Sequence, residues 1–257
     1  MNFITGDSFV KLSHFYFGSN GIEIINPISE NEIPIIFIKT DYVDSFFQTI
    51  KLEKEVIIIT HNSDIGVSES FLKYLNLEMV LKWYAQNICI NHEKLHSIPI
   101  GIANLEWPHG NTEILQSIID KNHAKSNLIY CNFNLNTNFL ERSKCLKYIE
   151  NFGLKLSPTI DFESYLTDLS KSYFVVSPNG NGIDCHKTWE ALYLKTIPIV
   201  TKSINSLHYS HLPIVFIDDW SNFNIHDFSI ELYHSLWYNV DTNKLNFTNY
   251  ASSILHS

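Results

Sequence analysis

The stretch that decides the fold is Phe174–Val200, which reads FVVSPNGNGIDCHKTWEALYLKTIPIV. It starts with an apolar run, passes through a loop with two glycines, and continues into a helical segment and a second apolar run. This strand–loop–helix–strand order is typical of parallel α/β architecture, because the helix crosses over between two neighbouring strands. The stretch therefore predicts a parallel sheet whose first strand delivers a ligand-binding loop.

The loop between the two apolar runs has the composition of a phosphate-binding turn. Gly180 and Gly182 lack Cβ, so we expect positive φ angles and amides that come close to a ligand. Asp184 stands where the N-cap of the following helix belongs. Unpaired amides and the positive helix end favour an anion at such a junction.

The helix after the loop carries further ligand-type groups. His186 and Lys187 add donors beside the loop, and Glu190 lies one turn further, within reach of a hydroxyl-rich group attached to the phosphate. This combination suggests a nucleotide sugar. A dinucleotide is disfavoured because a third glycine and the ribose-binding acid expected ~20 residues further on are both missing.

Composition excludes several classes of protein. The formal charge of −9 argues against broad nucleic-acid or anionic-membrane binding, which needs a basic face. The apolar runs are far shorter than a membrane span, and the N-terminus lacks the pattern of a signal peptide. The four cysteines and the histidines have no zinc or disulfide spacing, so we expect reduced thiols in a cytoplasmic protein.

Strands and helices alternate in two halves along the chain. We expect an N-terminal domain over residues 1–125 and a C-terminal domain over 126–257, joined by the polar stretch 120–126. The last helix is a candidate to pack back onto the first domain. Strands are predicted at residues 33–39, 55–60, 80–84, 95–100, 127–132, 174–176, 196–200 and 214–217. Helices are predicted at residues 41–50, 68–75, 111–125, 139–152, 162–170, 225–238 and 249–255, besides the one after the loop.

The C-terminal half resembles the donor-binding half of exostosin-like (GT47-type) glycosyltransferases, in their small bacterial and viral form. Strong similarity covers Ser177–Leu192, Thr196–Val200, Leu212–Pro213 and Asp219–Trp220, and weaker similarity covers Ile98–Asn104, Tyr130–Asn134, Thr137 and Arg142. Two positions depart from the family pattern. Lys187 stands where arginine is usual, which keeps the charge but not the bidentate fork, and Lys195 stands where glycine often precedes the strand.

The resemblance implies a GT-B-like fold, with two Rossmann-like domains whose parallel sheets face a central cleft. It implies a hexosyl- or pentosyltransferase that moves a sugar from a nucleotide-diphosphate donor, expected to be a UDP-sugar, to a glycan hydroxyl with inversion. Neither a metal nor a cofactor is expected. Two alternatives stay open: a fucosyltransferase-like enzyme that uses a GDP-sugar, and a non-catalytic nucleotide- or carbohydrate-binding domain.

The donor-binding candidates come from the loop, the following helix and one arginine of an earlier helix. They are Arg142, Ser177, Asn179, Gly180, Asn181, Gly182, Asp184, His186, Lys187, Thr188 and Glu190. Helix ends and basic side chains would stabilise the leaving diphosphate in place of a metal ion. For Arg142, a solvated position on its helix is the alternative.

The catalytic candidates follow the most strongly β-branched strand of the first half. Asp64 could accept the acceptor's proton, helped by partial desolvation that raises its pKa, and His61 is its nearest rival. The alternative for both is a turn and helix cap. Asp7 is a third option for the base.

Aromatic and acidic residues elsewhere suggest two further sites. Trp83, Asn87, Trp107 and His109 could form an acceptor surface, although core packing explains them equally well. The acidic pairs Asp218-Asp219 and Asp161-Phe-Glu163 could bind a metal, but we interpret Asp161 as an N-cap and Asp218-Asp219 as a loop at the edge of the cleft.

Overall fold

Helices and strands alternate through residues 2–256, which the computed structural model describes. The helices are α1 (Gly6–Leu12), α2 (Val43–Thr49), α3 (Leu72–Leu75), α4 (Thr112–Lys121), α5 (Phe139–Glu150), α6 (Phe162–Ser170), α7 (His186–Tyr193), α8 (Ile204–Leu207), α9 (Ile230–Trp237) and α10 (Phe247–Leu255). The strands are β1 (Phe15–Gly18), β2 (Gly21–Ile24), β3 (Ile35–Lys39), β4 (Val56–His61), β5 (Val80–Ala85), β6 (Leu95–Ser97), β7 (Asn127–Cys131), β8 (Ser172–Val176), β9 (Ile197–Thr201) and β10 (Val215–Ile217).

These elements form two compact units, each with its own sheet. The six-stranded unit comprises Asn2–Ile100 and the chain from Asn246 onward, and the four-stranded unit comprises Gly101–Leu245. The division expected between residues 125 and 126 falls between α4 and β7, and both of these elements belong to the four-stranded unit.

The sheet of the six-stranded unit has the order β2-β1-β3-β4-β5-β6. β4 lies at its interior and is buried along its whole length, which explains its β-branched composition. The sheet is mixed rather than wholly parallel, because β2 pairs antiparallel with β1. A two-residue turn joins this hairpin, and Gly21 follows it with a φ of 88°, which glycine adopts without strain.

The C-terminal helix α10 packs within the six-stranded unit. The ring of Phe247 contacts that of Phe9 edge-on, with centroids 5.1 Å apart, and the Phe247 amide donates to the Asn2 carbonyl over 3.0 Å. The Tyr84 hydroxyl donates to the Ser253 carbonyl over 3.3 Å. Asn2 and α10 therefore belong to the same unit.

The sheet of the four-stranded unit has the order β10-β9-β8-β7, and all its strands are parallel. One face packs against α5 and α9 through alternate strand residues: Ile129, Cys131, Phe174, Val176, Ile197 and Ile199. On their helices, Cys145, Ile149 and Tyr233 belong to the same core. α6 packs against β8 and α7 against β9. The α/β class predicted from the sequence is confirmed.

None of the helices within residues 2–256 is both long and apolar enough to cross a membrane.

Candidate functional site

A small, open pocket lies beside the loop that follows β8. Its polar lining comes from Ser177, Asn179, Thr188, Thr201, Asn205 and Ser206. Ser177 directly follows β8 and Thr201 ends β9, so the pocket lies at the carboxyl ends of neighbouring parallel strands. Ligands of parallel α/β sheets bind at this edge.

The start of the loop is held tightly to its neighbours. Ser177 is buried, its amide donates to the Ile199 carbonyl over 3.0 Å, and its hydroxyl lies 3.0 Å from that of Thr188. These two bonds hold Ser177 in place at the base of the pocket.

The two loop glycines differ from the prediction, because neither Gly180 nor Gly182 has a positive φ. The Gly180 amide donates to Cys185 Sγ over 3.0 Å, and its carbonyl accepts from Asn138 Nδ2 over 2.7 Å. A Cβ on Gly180 would lie 3.4 Å from Arg142 Nη2. The site thus has nearly enough space for a Cβ, and the amide of Gly180 is bound within the protein. Gly182 is buried, while Asn181 at the loop tip is exposed.

Asp184 is not the N-cap of α7; that position belongs to Cys185, whose side chain makes no capping bond. Asp184 Oδ1 accepts from the Cys185 amide over 2.9 Å, and both carboxylate oxygens accept from Trp189 Nε1 over 3.0 Å. The reason is the indole of Trp189, which is fully buried and needs an acceptor for its N–H. The carboxylate also lines the pocket.

Arg142 extends from α5 to the loop. Its Nε donates to the Asn179 carbonyl over 3.0 Å, and its Nη1 donates to the Asn134 carbonyl over 2.7 Å. These two bonds fix the guanidinium against the loop, so the side chain is not freely solvated.

Lys187 and Glu190 form a buried charged group with the side chain of Tyr165. The Tyr165 hydroxyl donates to Glu190 Oε2 over 2.7 Å, and Glu190 is only 4% exposed. Lys187 Nζ lies 5.8 Å from the ring centroids of both Phe133 and Tyr165. Burial raises the pKa of Glu190, although the Tyr165 hydroxyl and the charge of Lys187 oppose this.

Arg142 and Lys187 place two positive charges near the loop that follows β8. Burial lowers the pKa of Lys187, the charge of Glu190 opposes this shift, and the charge of Arg142 adds to it. In the described part of the chain, neither cation forms an ion pair with a carboxylate. Two cations that repel each other, of which only Lys187 interacts with the buried acid Glu190, provide a favourable place for an anion.

His186, the first residue of α7, has a defined orientation. Its Nδ1 lies 2.8 Å from the Gly101 carbonyl, and because a carbonyl can only accept, Nδ1 carries the proton. Gly101 has a φ of 67°, a conformation that favours glycine. The backbone at Gly101 thus sets the tautomer of His186.

His61 ends β4 with both ring nitrogens engaged. Nε2 lies 3.0 Å from the Pro99 carbonyl, and the Asn62 amide donates to Nδ1 over 2.8 Å. Burial lowers the pKa of His61. Because a carbonyl can only accept, Nε2 carries a proton. Asn62 Oδ1 also lies 3.0 Å from Nδ1 and would accept a hydrogen bond from that nitrogen if the ring were protonated.

The two carboxylates considered as bases lie in different surroundings. Asp64 is exposed in the turn after β4, so the partial desolvation expected for it is not found. Asp7 lies in the first turn of α1, and its charge acts on His61. The preceding Gly6 packs so closely against Asn62 that a Cβ would come within 1.8 Å of its Oδ1.

The residues considered for an acceptor surface differ in their exposure to solvent. Trp83 and Asn87 are both 0% exposed, and Trp83 Nε1 donates to Thr60 Oγ1 over 2.8 Å, so these two residues belong to the core. Trp107, by contrast, is 55% exposed, and its ring lies against that of His109.

The acidic pairs have partners within the protein. Asp161 is the N-cap of α6, as predicted, and accepts from the Ser164 amide over 2.9 Å. Asp218 pairs with Lys202 over 2.6 Å, and Asp219 pairs with Lys144. Among residues 2–256, no group of three or more His, Cys, Asp or Glu side chains could hold a metal ion.

Sequence reasoning missed three residues that organise the site. Asn138 is recognisable as an N-cap from its position before a helix, but its bond to Gly180 is not. Tyr165 and Cys185 carry no sequence signal for their bonds to Glu190 and Gly180, because those bonds depend on tertiary packing and loop conformation.

Comparison with known proteins adds no assignment to this geometry. No family model matches the chain, and no curated protein sequence matches it significantly.

Proposed function

We propose that this protein is a glycosyltransferase that transfers a sugar from a nucleotide-diphosphate donor to a glycan hydroxyl with inversion. The donor, expected to be a UDP-sugar, binds to the four-stranded unit at the loop after β8. The proposal includes a GT-B arrangement, in which this unit and the six-stranded unit border a common cleft.

The observation that carries the proposal is the excess of positive charge that Arg142 and Lys187 bring to the loop that follows β8. The polar pocket borders the same loop, although neither cation is among its lining residues. Arg142 and Lys187 lie close enough for the arginine's charge to lower the lysine's pKa, and neither has a carboxylate in direct contact within residues 2–256. A diphosphate would supply the missing negative charge, and cations placed this way stabilise a departing diphosphate.

The polar groups that line the pocket match the hydroxyl groups of a nucleotide sugar. Ser177, Thr188, Thr201, Asn205 and Ser206 offer hydroxyl and amide groups around the pocket. Glu190, one turn into α7, would accept hydrogen bonds from ribose hydroxyls once its bond with Tyr165 is shared or exchanged. Asp64 stays our proposed base, because it is the exposed acid that follows β4.

The test is nucleotide binding by a matched pair of lysine variants. UDP and GDP should raise the melting temperature, since a ligand that binds only the folded state stabilises it. Lys187→Met should abolish most of this shift while keeping the side chain's volume. Lys147→Met is the control: Lys147 Nζ also lies 5.9 Å from a tyrosine ring, but on the exposed surface of α5. Equal nucleotide shifts in both variants would contradict the proposal.

A non-catalytic nucleotide- or carbohydrate-binding protein is the second candidate. It is favoured by the state of His61, whose two ring nitrogens are both engaged, and by the lack of desolvation at Asp64. Donor hydrolysis assays with several UDP- and GDP-sugars separate the candidates, because a binding protein would retain nucleotide affinity without turnover.

A further inference from the structure

An exposed aromatic platform lies on the four-stranded unit, in the segment Leu105–His109. All five residues of this segment are exposed, and Trp107 is 55% exposed despite its large apolar ring. The rings of Trp107 and His109 are inclined by 30°, with centroids 6.1 Å apart. The two rings therefore lie next to each other at the surface.

The backbone beneath the platform is rigid. The Trp107 amide donates to the Asn104 carbonyl over 3.0 Å, and the Gly110 amide donates to the Trp107 carbonyl over 2.8 Å. A Cβ on Gly110 would lie 1.9 Å from the Asn104 carbonyl oxygen, so the turn closes only around glycine. Pro108 further restricts the chain. Because the platform is already ordered, little conformational entropy is lost when a ligand binds to it.

The platform adjoins the start of α7, the helix that follows the loop after β8. The ring of His109 lies 6.1 Å from that of His186, the first residue of that helix. The bond between His186 Nδ1 and the Gly101 carbonyl holds this ring in place. A ligand on the platform would therefore lie next to the end of the loop that follows β8.

The charge of the platform indicates the class of ligand. The segment from Ile100 to Asn111 contains no lysine or arginine, and its one charged side chain is the exposed acid Glu106. Phosphate-rich ligands are therefore disfavoured. Burial lowers the pKa of His109, which keeps its ring neutral and able to exchange hydrogen bonds with hydroxyls. An uncharged, hydroxyl-rich ring with one apolar face matches these features.

We propose that Trp107 and His109 form a subsite for a pyranose ring of a saccharide acceptor, with the apolar face of the sugar against the indole. This inference rests on the proposed function, and it specifies where the glycan acceptor binds and which ring of this chain one of its sugars contacts. Glu106 and His109 would bind hydroxyls at the edge of that ring, as exposed acids and imidazoles can.

The test is saturation-transfer-difference NMR with the methyl glycosides of glucose, galactose, N-acetylglucosamine and xylose. At least one should receive saturation from the native protein, and Trp107→Ala should weaken its binding about tenfold or more, because the stacking face is lost. Tyr238→Ala is the matched control, since Tyr238 is a 77% exposed aromatic of the same unit. It should leave glycoside binding unchanged.

The outcomes separate this inference from the proposed function. If no glycoside binds, or if Trp107→Ala binds as well as Tyr238→Ala, the subsite is overturned, whatever the nucleotide results. If UDP and GDP fail to bind but Trp107→Ala still abolishes glycoside binding, the saccharide site stands and the donor assignment fails. Circular dichroism of both variants checks that they are folded.

Discussion

The Tyr165 hydroxyl donates a 2.7 Å hydrogen bond to Glu190 Oε2 beneath the loop that follows β8. Glu190 is 4% exposed, and its pKa is raised by burial. The hydrogen bond from Tyr165 and the nearby charge of Lys187 oppose that rise. The pair links the stability of the four-stranded unit to its proposed ligand site.

Glu190→Gln tests the role of this acid in nucleotide binding. The amide keeps the shape and can still accept from Tyr165, but it is a weaker acceptor for ribose hydroxyls. We expect the binding free energy of UDP or GDP to weaken by about 1.5–3 kcal/mol, measured by isothermal titration calorimetry. Glu163→Gln, at an exposed position on α6, is the control. Unchanged affinity in a folded Glu190→Gln protein would remove Glu190 from the site.

Tyr165→Phe tests the same bond through stability. Removing the hydroxyl leaves a buried carboxylate without its donor, so we expect the free energy of unfolding to fall by about 1–3 kcal/mol in urea titrations. Combining Tyr165→Phe with Glu190→Gln should recover part of the loss, because the charge is gone. A double variant that loses as much as the two single variants together would show that the residues act independently.

Lys125 predicts a pH dependence of stability. Its Nζ donates to Thr196 Oγ1 over 2.8 Å and to the Leu194 carbonyl over 3.0 Å, and burial lowers its pKa from 10.5 to about 7. Between these two values the unfolded chain holds the proton and the folded chain does not. Stability should therefore rise with pH through this window, by at most about 1.4 kcal/mol per pH unit from this group.

The check is the free energy of unfolding of Lys125→Met against pH. The variant should show a smaller rise from about pH 7 upward, although Lys187, whose pKa is also lowered, keeps part of it. Lys147→Met, on the exposed surface, should retain the full slope. Identical slopes in the native protein and Lys125→Met would contradict the assignment.

Metal removal tests the source of positive charge at the site. Arg142 and Lys187 lie beside the loop, and Asp218 and Asp219 are each paired with a lysine. We therefore expect donor turnover to be unchanged after treatment with EDTA. Turnover that is lost with EDTA and restored by manganese would contradict this and direct attention to Asp218 and Asp219.

Asp64→Asn tests the proposed base. The amide keeps the size of the side chain but cannot accept the acceptor's proton, so sugar transfer should fall by about 10²–10⁴-fold while nucleotide binding is unchanged. A near-normal rate would move the assignment to Asp7, which lies close enough to His61 for its charge to influence that ring. Asp7→Asn would then be the next variant to assay.

Local patterns predicted most elements closely. The β-branched run at residues 55–60 became Val56–His61, and the helix expected at 162–170 became Phe162–Ser170. Both signals are local, since a strand buried on two faces needs continuous apolar residues and a helix needs a capped, periodic segment. The β1–β2 hairpin is not among the predicted elements, although Ile22 and Ile24 alternate with Glu23 in β2; the strand is short and mostly exposed, so its pattern is weak.

The loop that follows β8 shows where local reasoning was wrong. Asp184 has the sequence position of an N-cap, but the buried indole of Trp189 engages its carboxylate and the cap moves to Cys185. Gly180 is predicted to adopt a positive φ but does not, and its amide donates to the Cys185 side chain instead. Both errors have one cause: the decisive neighbour is a side chain whose position only the packed structure defines.

The sequence by itself determined the α/β class, the order of most strands and helices from β3 onward, and the loop that carries the candidate site. These features depend on periodicity, β-branching and turn residues, which act within a few positions. Tertiary structure alone decided which side chains meet, such as Tyr165 with Glu190 and Arg142 with Asn179, which are 25 and 37 residues apart. Burial also separated Trp83, in the core, from Trp107, on the surface. Hydrogen bonds and burial between distant segments depend on how those segments pack, and local sequence does not encode that packing.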